Sequence, residues 1–291
     1  MSDLLEIRVG GVPEHFNLPW HLAIEDGRFE KAGLNVSWKE YPGGTGAMNK
    51  DLRSNDIDIT VILTAGLVRD VINGNPSRII QQYITTPLIW GAHCAAGSSF
   101  ENLMQLRTAR FAISRQGSGS HLITYLLSKQ MDWKTDHLQF VETGGLEGTR
   151  ESFGKEASDC LLWEKYTTKP LVDAGEFKRV GEVVTPWPCF VIAGRQDFID
   201  ANMEGVKKLQ EVINSACADY PSRDNFLDEV AKRYQQKPED VEAWFATTKW
   251  ATDNSFNRDE IFELLVLLNE TGMADRYVRL NKLVAETCEL V

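Results

Sequence analysis

Cysteine is scarce in this sequence, with five in 291 residues. Cys94, Cys160, Cys189, Cys217 and Cys288 stand far apart and form no C-x-x-C pair. An odd, scattered set excludes a disulfide framework or a cysteine-based zinc site and predicts reduced, mostly buried thiols. Long apolar runs are missing too. The longest, such as Leu264 to Leu268, falls far short of the roughly 20 residues that span a bilayer. The opening Met1-Ser2-Asp3-Leu4-Leu5-Glu6-Ile7 has no basic n-region and no apolar h-region. The expectation is therefore no membrane insertion and a cytoplasmic location, with a periplasmic location after removal of a leader as the alternative. Dense Lys/Arg clusters are absent, and the formal net charge is −11. Nucleic-acid affinity is built from neutralised phosphates, so no nucleic-acid partner is expected.

Signatures of catalysis are also lacking. No G-x-S-x-G elbow, Walker A loop or H-E-x-x-H occurs, and Gly117-Ser118-Gly119 lacks the third glycine and the spaced acid of a dinucleotide fingerprint. His15 and His21 are not one helical turn apart, so neither a metal site nor a set of catalytic residues is expected.

What the sequence does contain is alternation of strand and helix patterns. Leu5 to Val9 alternates and stops at Gly10-Gly11. One helix is expected from about Leu18 to Lys31, closing on Ala32-Gly33, and a strand over 34–38. After Pro42-Gly43-Gly44-Thr45-Gly46 a short helix runs to about Ser54, then a strand over 57–62, a helix from Thr64 to Ile72 and a strand over 77–84. A second series begins near Pro87, with strands over 110–114, 138–141, 159–163 and 179–184 separated by helices. Thr185-Pro186-Trp187-Pro188 reads as a break before one more strand, 189–193. From Asp200 the pattern is almost wholly helical, with Val206, Leu209, Val212, Ile213 and Ala216 on one core-facing stripe. This is an α/β fold of βαβ units with a mostly parallel sheet. Crossovers near Thr85 to Trp90 and Pro186 to Pro188 divide it into a discontinuous first lobe, residues 1–87 and 190–291, and a second lobe, 88–189.

In an open α/β sheet, ligands sit beyond the carboxyl ends of the strands, where helix N-termini present free amides. The candidate ligand-binding residues are those of these junctions. Glu14, His15, Phe16 and Asn17 follow the first strand, and Gly43, Gly44, Thr45 and Gly46 follow the second, with Thr45 placed to cap the helix. Thr64 offers a hydroxyl at the third. The second series contributes Gly117, Ser118, Gly119, Ser120 and His121, then Gly144, then Glu164, and Trp187 stands at the return crossover. Each has a plainer reading: glycines as tight connections, serines as N-caps, Glu164 as a first-turn charge, Trp187 as core. Recurrence of such junctions in both halves favours a ligand held in a cleft between the lobes.

Several of these stretches resemble one family. Val12-Pro13, Gly27-Arg28-Phe29, Gly33-Leu34-Asn35-Val36, Pro42 to Gly46 and Asp56-Ile57-Asp58-Ile59 follow in the order seen in nitrate, sulfonate and taurine substrate-binding proteins. Gly117 to Ser120 and Asp159 to Glu164 continue the resemblance, which spans about residues 5–200. It implies a two-lobed periplasmic-binding-protein type II architecture with two crossover strands and a helical C-terminal return. It also implies a small-molecule ligand and an ABC permease as partner. One branch of that superfamily is an enzyme, the fungal hydroxymethylpyrimidine phosphate synthase, which carries pyridoxal phosphate on a lysine of the third junction. Ile62 stands at that position, and the enzyme's cysteine-rich run is reduced to Cys189. Without an amine no Schiff base forms, so no cofactor is expected.

The expected function is a small-molecule solute-binding protein, ABC-transporter substrate-binding-like, for a small anionic, zwitterionic or heterocyclic metabolite. Glu164 disfavours a purely anionic ligand. Two alternatives stay open: an enzyme of thiamine-precursor-like metabolism using Glu164 or His15 as acid or base, and a cytoplasmic ligand sensor.

Overall fold

Strand β1 (Leu5–Gly11) buries Ile7 and Val9 and turns Glu6 and Arg8 outward, the period of two of a half-buried strand. It opens a computed structural model that describes residues 4–274, 276 and 278–291. The single helix expected over 18–31 is two, α1 (Leu18–Glu25) and α2 (Arg28–Lys31). Gly27 between them stands at φ +63, a left-handed conformation that ends the first helical ladder. β2 (Leu34–Glu40) pairs in parallel with the whole of β1. Then come α3 (Gly44–Arg53), β3 (Ile59–Leu63), α4 (Thr64–Ile72) and β4 (Ser77–Ala95). Thr45 does not cap α3: the N-cap is Gly43, and among the described residues no side chain makes a capping hydrogen bond there. The Thr45 methyl lies instead only 2.3 Å from where a Cβ on Gly66 would stand, so α3 packs against a bare backbone in α4.

The second series runs β5 (Arg110–Ile113), α5 (Gly119–Gln130), β6 (Gln139–Glu142), α6 (Leu146–Gly154), β7 (Cys160–Glu164), α7 (Lys169–Asp173) and β8 (Phe177–Arg195). The break expected at Thr185 to Pro188 is not there, and β8 runs through it for 19 residues. Proline fits the φ of an extended strand and only removes a donor, so it stops a strand only where that donor is needed.

The tail holds α8 (Gln196–Ala201), α9 (Met203–Asp219), α10 (Phe226–Tyr234), α11 (Pro238–Phe245), β9 (Ser255–Phe256), α12 (Arg258–Glu270) and β10 (Glu289–Leu290). Val206, Leu209, Ile213 and Ala216 are buried as expected, whereas Val212 is only half-buried. Gln210 takes a buried place on that helix and donates from Nε2 to the carbonyls of Ile80 (3.2 Å) and Thr287 (3.3 Å). The tail is not wholly helical. Ile79 exchanges backbone bonds with Leu283 and Ala285, each 2.8 Å, and β9 pairs with β10.

The chain forms two compact units, one of residues up to Thr86 together with Trp187–Val291, the other Pro87–Pro186. In each, the first strand lies between the second and the third, β2-β1-β3 in one and β6-β5-β7 in the other. The likeness extends to single atoms. Arg8 N and Nε both donate to Asp58 Oδ2 at 2.9 Å, and Nη2 donates to Oδ1 at 2.7 Å. Arg110 N and Nε donate to Asp159 Oδ2 at 2.7 and 2.9 Å, and Nη2 to Oδ1 at 2.7 Å. Each clamp fixes the amino end of the third strand to the first and leaves the carboxyl ends to carry loops. Among the described residues, no helix is long and apolar enough to cross a membrane.

Candidate functional site

In the first unit, β1 ends in Gly10-Gly11 because the ring of Trp38 and that of Tyr41 occupy the space a Cβ would need, at 2.4 and 2.6 Å. The chain then turns through Val12 to Glu14, with the Asn17 amide donating to the Val12 carbonyl at 2.8 Å. His15, Phe16 and Asn17 are all buried, and Glu14 is half-buried beside them. The Phe16 carbonyl accepts from the Tyr83 hydroxyl (2.6 Å) and from Trp250 Nε1 (3.0 Å). His15 stacks on Phe16 and meets the ring of Trp244 edge-on at 4.2 Å. Burial holds the His15 imidazole at a pKa of about 3, so it is neutral. Gln236 Nε2 lies 3.4 Å from His15 Nδ1. Four buried polar atoms of this cluster find no partner among the described residues: His15 Nε2, Tyr234 OH, Gln236 Oε1 and Trp244 Nε1.

Of the other first-unit candidates, Thr64 is tied to this cluster through Phe190. Its ring lies 5.2 Å from that of Phe16, and it pairs with Leu63 at the end of β3. The next residue, Thr64, is fully buried and its hydroxyl donates to the Cys189 carbonyl at 3.2 Å. Gly44 stands at φ +63 with open space where a Cβ would be. It starts a helix whose first turn, with Thr45 and Gly46 half-buried, presents amides without helical acceptors. Gly43 is exposed, and Trp187 is buried in β8. Ile62 is buried in β3.

In the second unit, the junction after β5 is a closed hydrogen-bond network. Ser118 caps α5 by accepting from the His121 amide at 3.4 Å, and the Gly117 amide donates to His121 Nδ1 at 2.8 Å. A neutral imidazole that accepts at Nδ1 has its proton on Nε2. The hydroxyls of Ser118 and Ser120 are 3.0 Å apart, and Ser120 Oγ accepts from the Ser114 amide at 3.2 Å. The exposed Gly144 joins them, its amide donating to the Ser114 carbonyl at 3.1 Å. Glu164 ends β7 as a buried carboxyl that accepts from the Thr167 amide at 2.5 Å. Burial pushes its pKa up, against the opposing pull of that hydrogen bond and of Arg179. Across the ladder stands Trp90, whose Nε1 has no partner among the described residues.

Sequence reasoning missed Tyr234, Gln236, Trp244 and Trp250, which lie more than 200 residues from His15. The one signal available was the density of rings in Tyr234, Trp244, Phe245 and Trp250. Among the described residues, no group of three His, Cys, Asp or Glu side chains could hold a metal ion.

Residues 92–183 match the model of the Ca3427-like PBP family. The solved structure of the Candida albicans CA3427 gene product, described as defining a new family with the generic periplasmic binding protein fold, is similar over 99% of this chain and 98% of its own. Its TM-score is 0.90 at 24% identity. The alkanesulfonate-binding protein SsuA of Xanthomonas axonopodis pv. citri, bound to MOPS, is similar over the full length of both chains, with TM-score 0.78 and 13% identity. The nitrate-binding protein NrtA of Synechocystis PCC 6803 covers 95% of this chain and 84% of its own, with TM-score 0.73 and 13% identity. No curated protein matches the sequence.

Proposed function

From a chain that has the periplasmic-binding-protein fold, in the form shared with sulfonate- and nitrate-binding proteins, we propose a solute-binding protein that holds a small metabolite at its strand-to-helix junctions. The observation that carries this reading is the repetition of one three-strand motif in the two units. In each, an Arg–Asp clamp fixes the amino end of the third strand, and polar junctions follow the carboxyl ends. Free first-turn amides at such ends suit an anionic or strongly accepting group. Glu164, buried and raised in pKa, suits an N–H or cationic group instead. The ligand class is therefore a zwitterion or a heterocycle with a donor.

Native mass spectrometry of the purified protein should show a carried-over solute, and calorimetry with that solute tests the residues. Gly119→Val should weaken binding by crowding the start of α5, and Glu164→Gln should weaken it about ten- to hundredfold. That is the loss of one hydrogen bond to a charged group, about 1.5–3 kcal/mol. Tighter binding by Glu164→Gln would show that a pure anion is the ligand, and unchanged affinity in both variants would place the site elsewhere.

For the compartment we propose the cytoplasm, because all five cysteines are buried free thiols. The sulfonate- and nitrate-binding neighbours favour the periplasm, with an ABC permease as partner. Fractionation of cells expressing the natural gene distinguishes the two.

A further inference from the structure

Strands β4 and β7 pair antiparallel, with Trp90 opposite Glu164 and His93 opposite Leu161. The next step of that register sets Cys94 opposite Cys160. The Lys165 amide donates to the Ile89 carbonyl at 3.0 Å, so 89 and 165 are a hydrogen-bonded pair. Bonded and non-bonded pairs alternate along an antiparallel ladder, which makes 94 and 160 a non-bonded pair. Such pairs stand about 4.5 Å apart at Cα, inside the roughly 4.4–6.8 Å range of disulfides. Their side chains share one face of the sheet, which sets the two thiols side by side.

We propose that Cys94 and Cys160 form a reversible redox modification site that closes to a cross-strand disulfide on exposure to a peroxide. Both thiols are fully buried, but they lie at the end of the ladder: Ala95 and Asp159 beside them are half-buried, and Ala96 is exposed. A peroxide hardly larger than water enters there by opening one strand end rather than the sheet. The two sulfurs are unequal. Hydrogen bonds from the Cys160 thiol and the Ser98 hydroxyl, with the Lys178 charge, pull the Cys94 pKa down, whereas burial pushes that of Cys160 up. Cys94 is thus the attacking thiolate and Cys160 the resolving thiol. Cys94 attacks the peroxide, giving a sulfenic acid and releasing water after proton uptake. The Cys160 sulfur then displaces the hydroxyl as a second water, so two thiols and one hydrogen peroxide yield one disulfide and two waters. The site lies at the amino end of β7, four residues or roughly 13 Å along the strand from Glu164, away from the solute junctions.

The folded full-length chain is treated with hydrogen peroxide, unfolded in alkylating reagent and mapped by peptide mass spectrometry. The expected result is a peptide linking 94 to 160, reversed by dithiothreitol, with Cys189, Cys217 and Cys288 alkylated as free thiols. The melting transition of the second unit should rise by roughly 10 °C on oxidation. Cys160→Ser should trap a dimedone-reactive Cys94, and Cys94→Ser should leave Cys160 unmodified. Oxidation of Cys94 to the sulfinic acid in the unaltered chain while Cys160 remains a free thiol would overturn the proposal, as would a linked peptide only from unfolded protein.

Discussion

At the scale of single residues, the two Arg–Asp clamps are alike in geometry and unlike in surroundings. The Asp58 side chain is 5% exposed and also takes Arg195 Nη2 at 3.2 Å, from a side chain itself only 10% exposed. Burial alone would raise the Asp58 pKa, but Arg8 and Arg195 outweigh it and hold the carboxyl below the usual range. Among the described residues Asp159 pairs with Arg110 alone, and both of those side chains reach solvent. Asp58→Asn should therefore cost about 3–5 kcal/mol, because it leaves the buried Arg195 with only the solvent-exposed Asp197 as a carboxylate partner among the described residues. Asp159→Asn should cost about 1 kcal/mol, since the pair is half-solvated and the amide oxygen keeps the Arg110 backbone bond. Urea unfolding of both variants measures the difference, and equal losses would show that Arg195 does not depend on Asp58. Neither clamp was legible in the sequence. Arg8 and Asp58 lie 50 positions apart, Arg110 and Asp159 49, and only one residue at each end recurs. The fate of His15 was equally hidden. A histidine in a polar junction reads as a ligand contact or an acid–base group until Tyr234 of α10, Gln236 after it and Trp244 of α11 close over it.

At the scale of elements, sequence pattern located nearly every strand and helix, because hydrophobic period and glycine punctuation are local signals. Where it erred, the cause was tertiary. The proline-rich stretch 185–188 looked like an end, yet β8 carries on through it. Thr45 looked like a cap, yet it serves as the surface against which α4 packs. A Cβ on Gly66 would meet Thr45 Cγ2 at 2.3 Å and Thr45 Cβ at 3.3 Å. Gly66→Ala should thus lose about 1–3 kcal/mol to overpacking, although alanine is the better helix former. Thr45→Ala removes the closer atom, and the double variant should recover most of that loss, a favourable coupling between neighbouring sites. Thermal unfolding of the two single variants and the double variant closes the cycle. Additive losses would mean that α3 and α4 do not touch at this point.

At the scale of the whole molecule, the repetition of one three-strand motif in the two units was not legible in the sequence, since it rests on strand order and on Arg–Asp contacts some fifty residues apart. Each unit holds a buried histidine whose pKa burial drives down. His15 is held at a pKa of about 3 by burial, and His93 also at about 3 by burial and by the charge of Arg179. Both values lie below the roughly 6.5 of an unfolded chain, so on acidification the unfolded state takes up protons first. The stability these residues allow is present in full above about pH 6.5. It is lost as pH falls towards 3, at up to about 1.4 kcal/mol per pH unit for each histidine. Glu164 works in the opposite direction in the second unit, because its raised pKa relieves a buried charge as pH drops. The first unit therefore gives the cleaner measurement, made as a difference between proteins so that other titrations cancel. His15→Phe keeps a ring against Phe16 and Trp244 and removes the ionisable group. Between pH 7.5 and 5 the unaltered first unit should lose about 2 kcal/mol more than the variant, and the second-unit transition should not change between them. Calorimetric unfolding at pH 7.5, 6 and 5 reads both transitions. Parallel losses in the two proteins would show that His15 takes up its proton inside the fold, and the aromatic cluster around it would then be open to water.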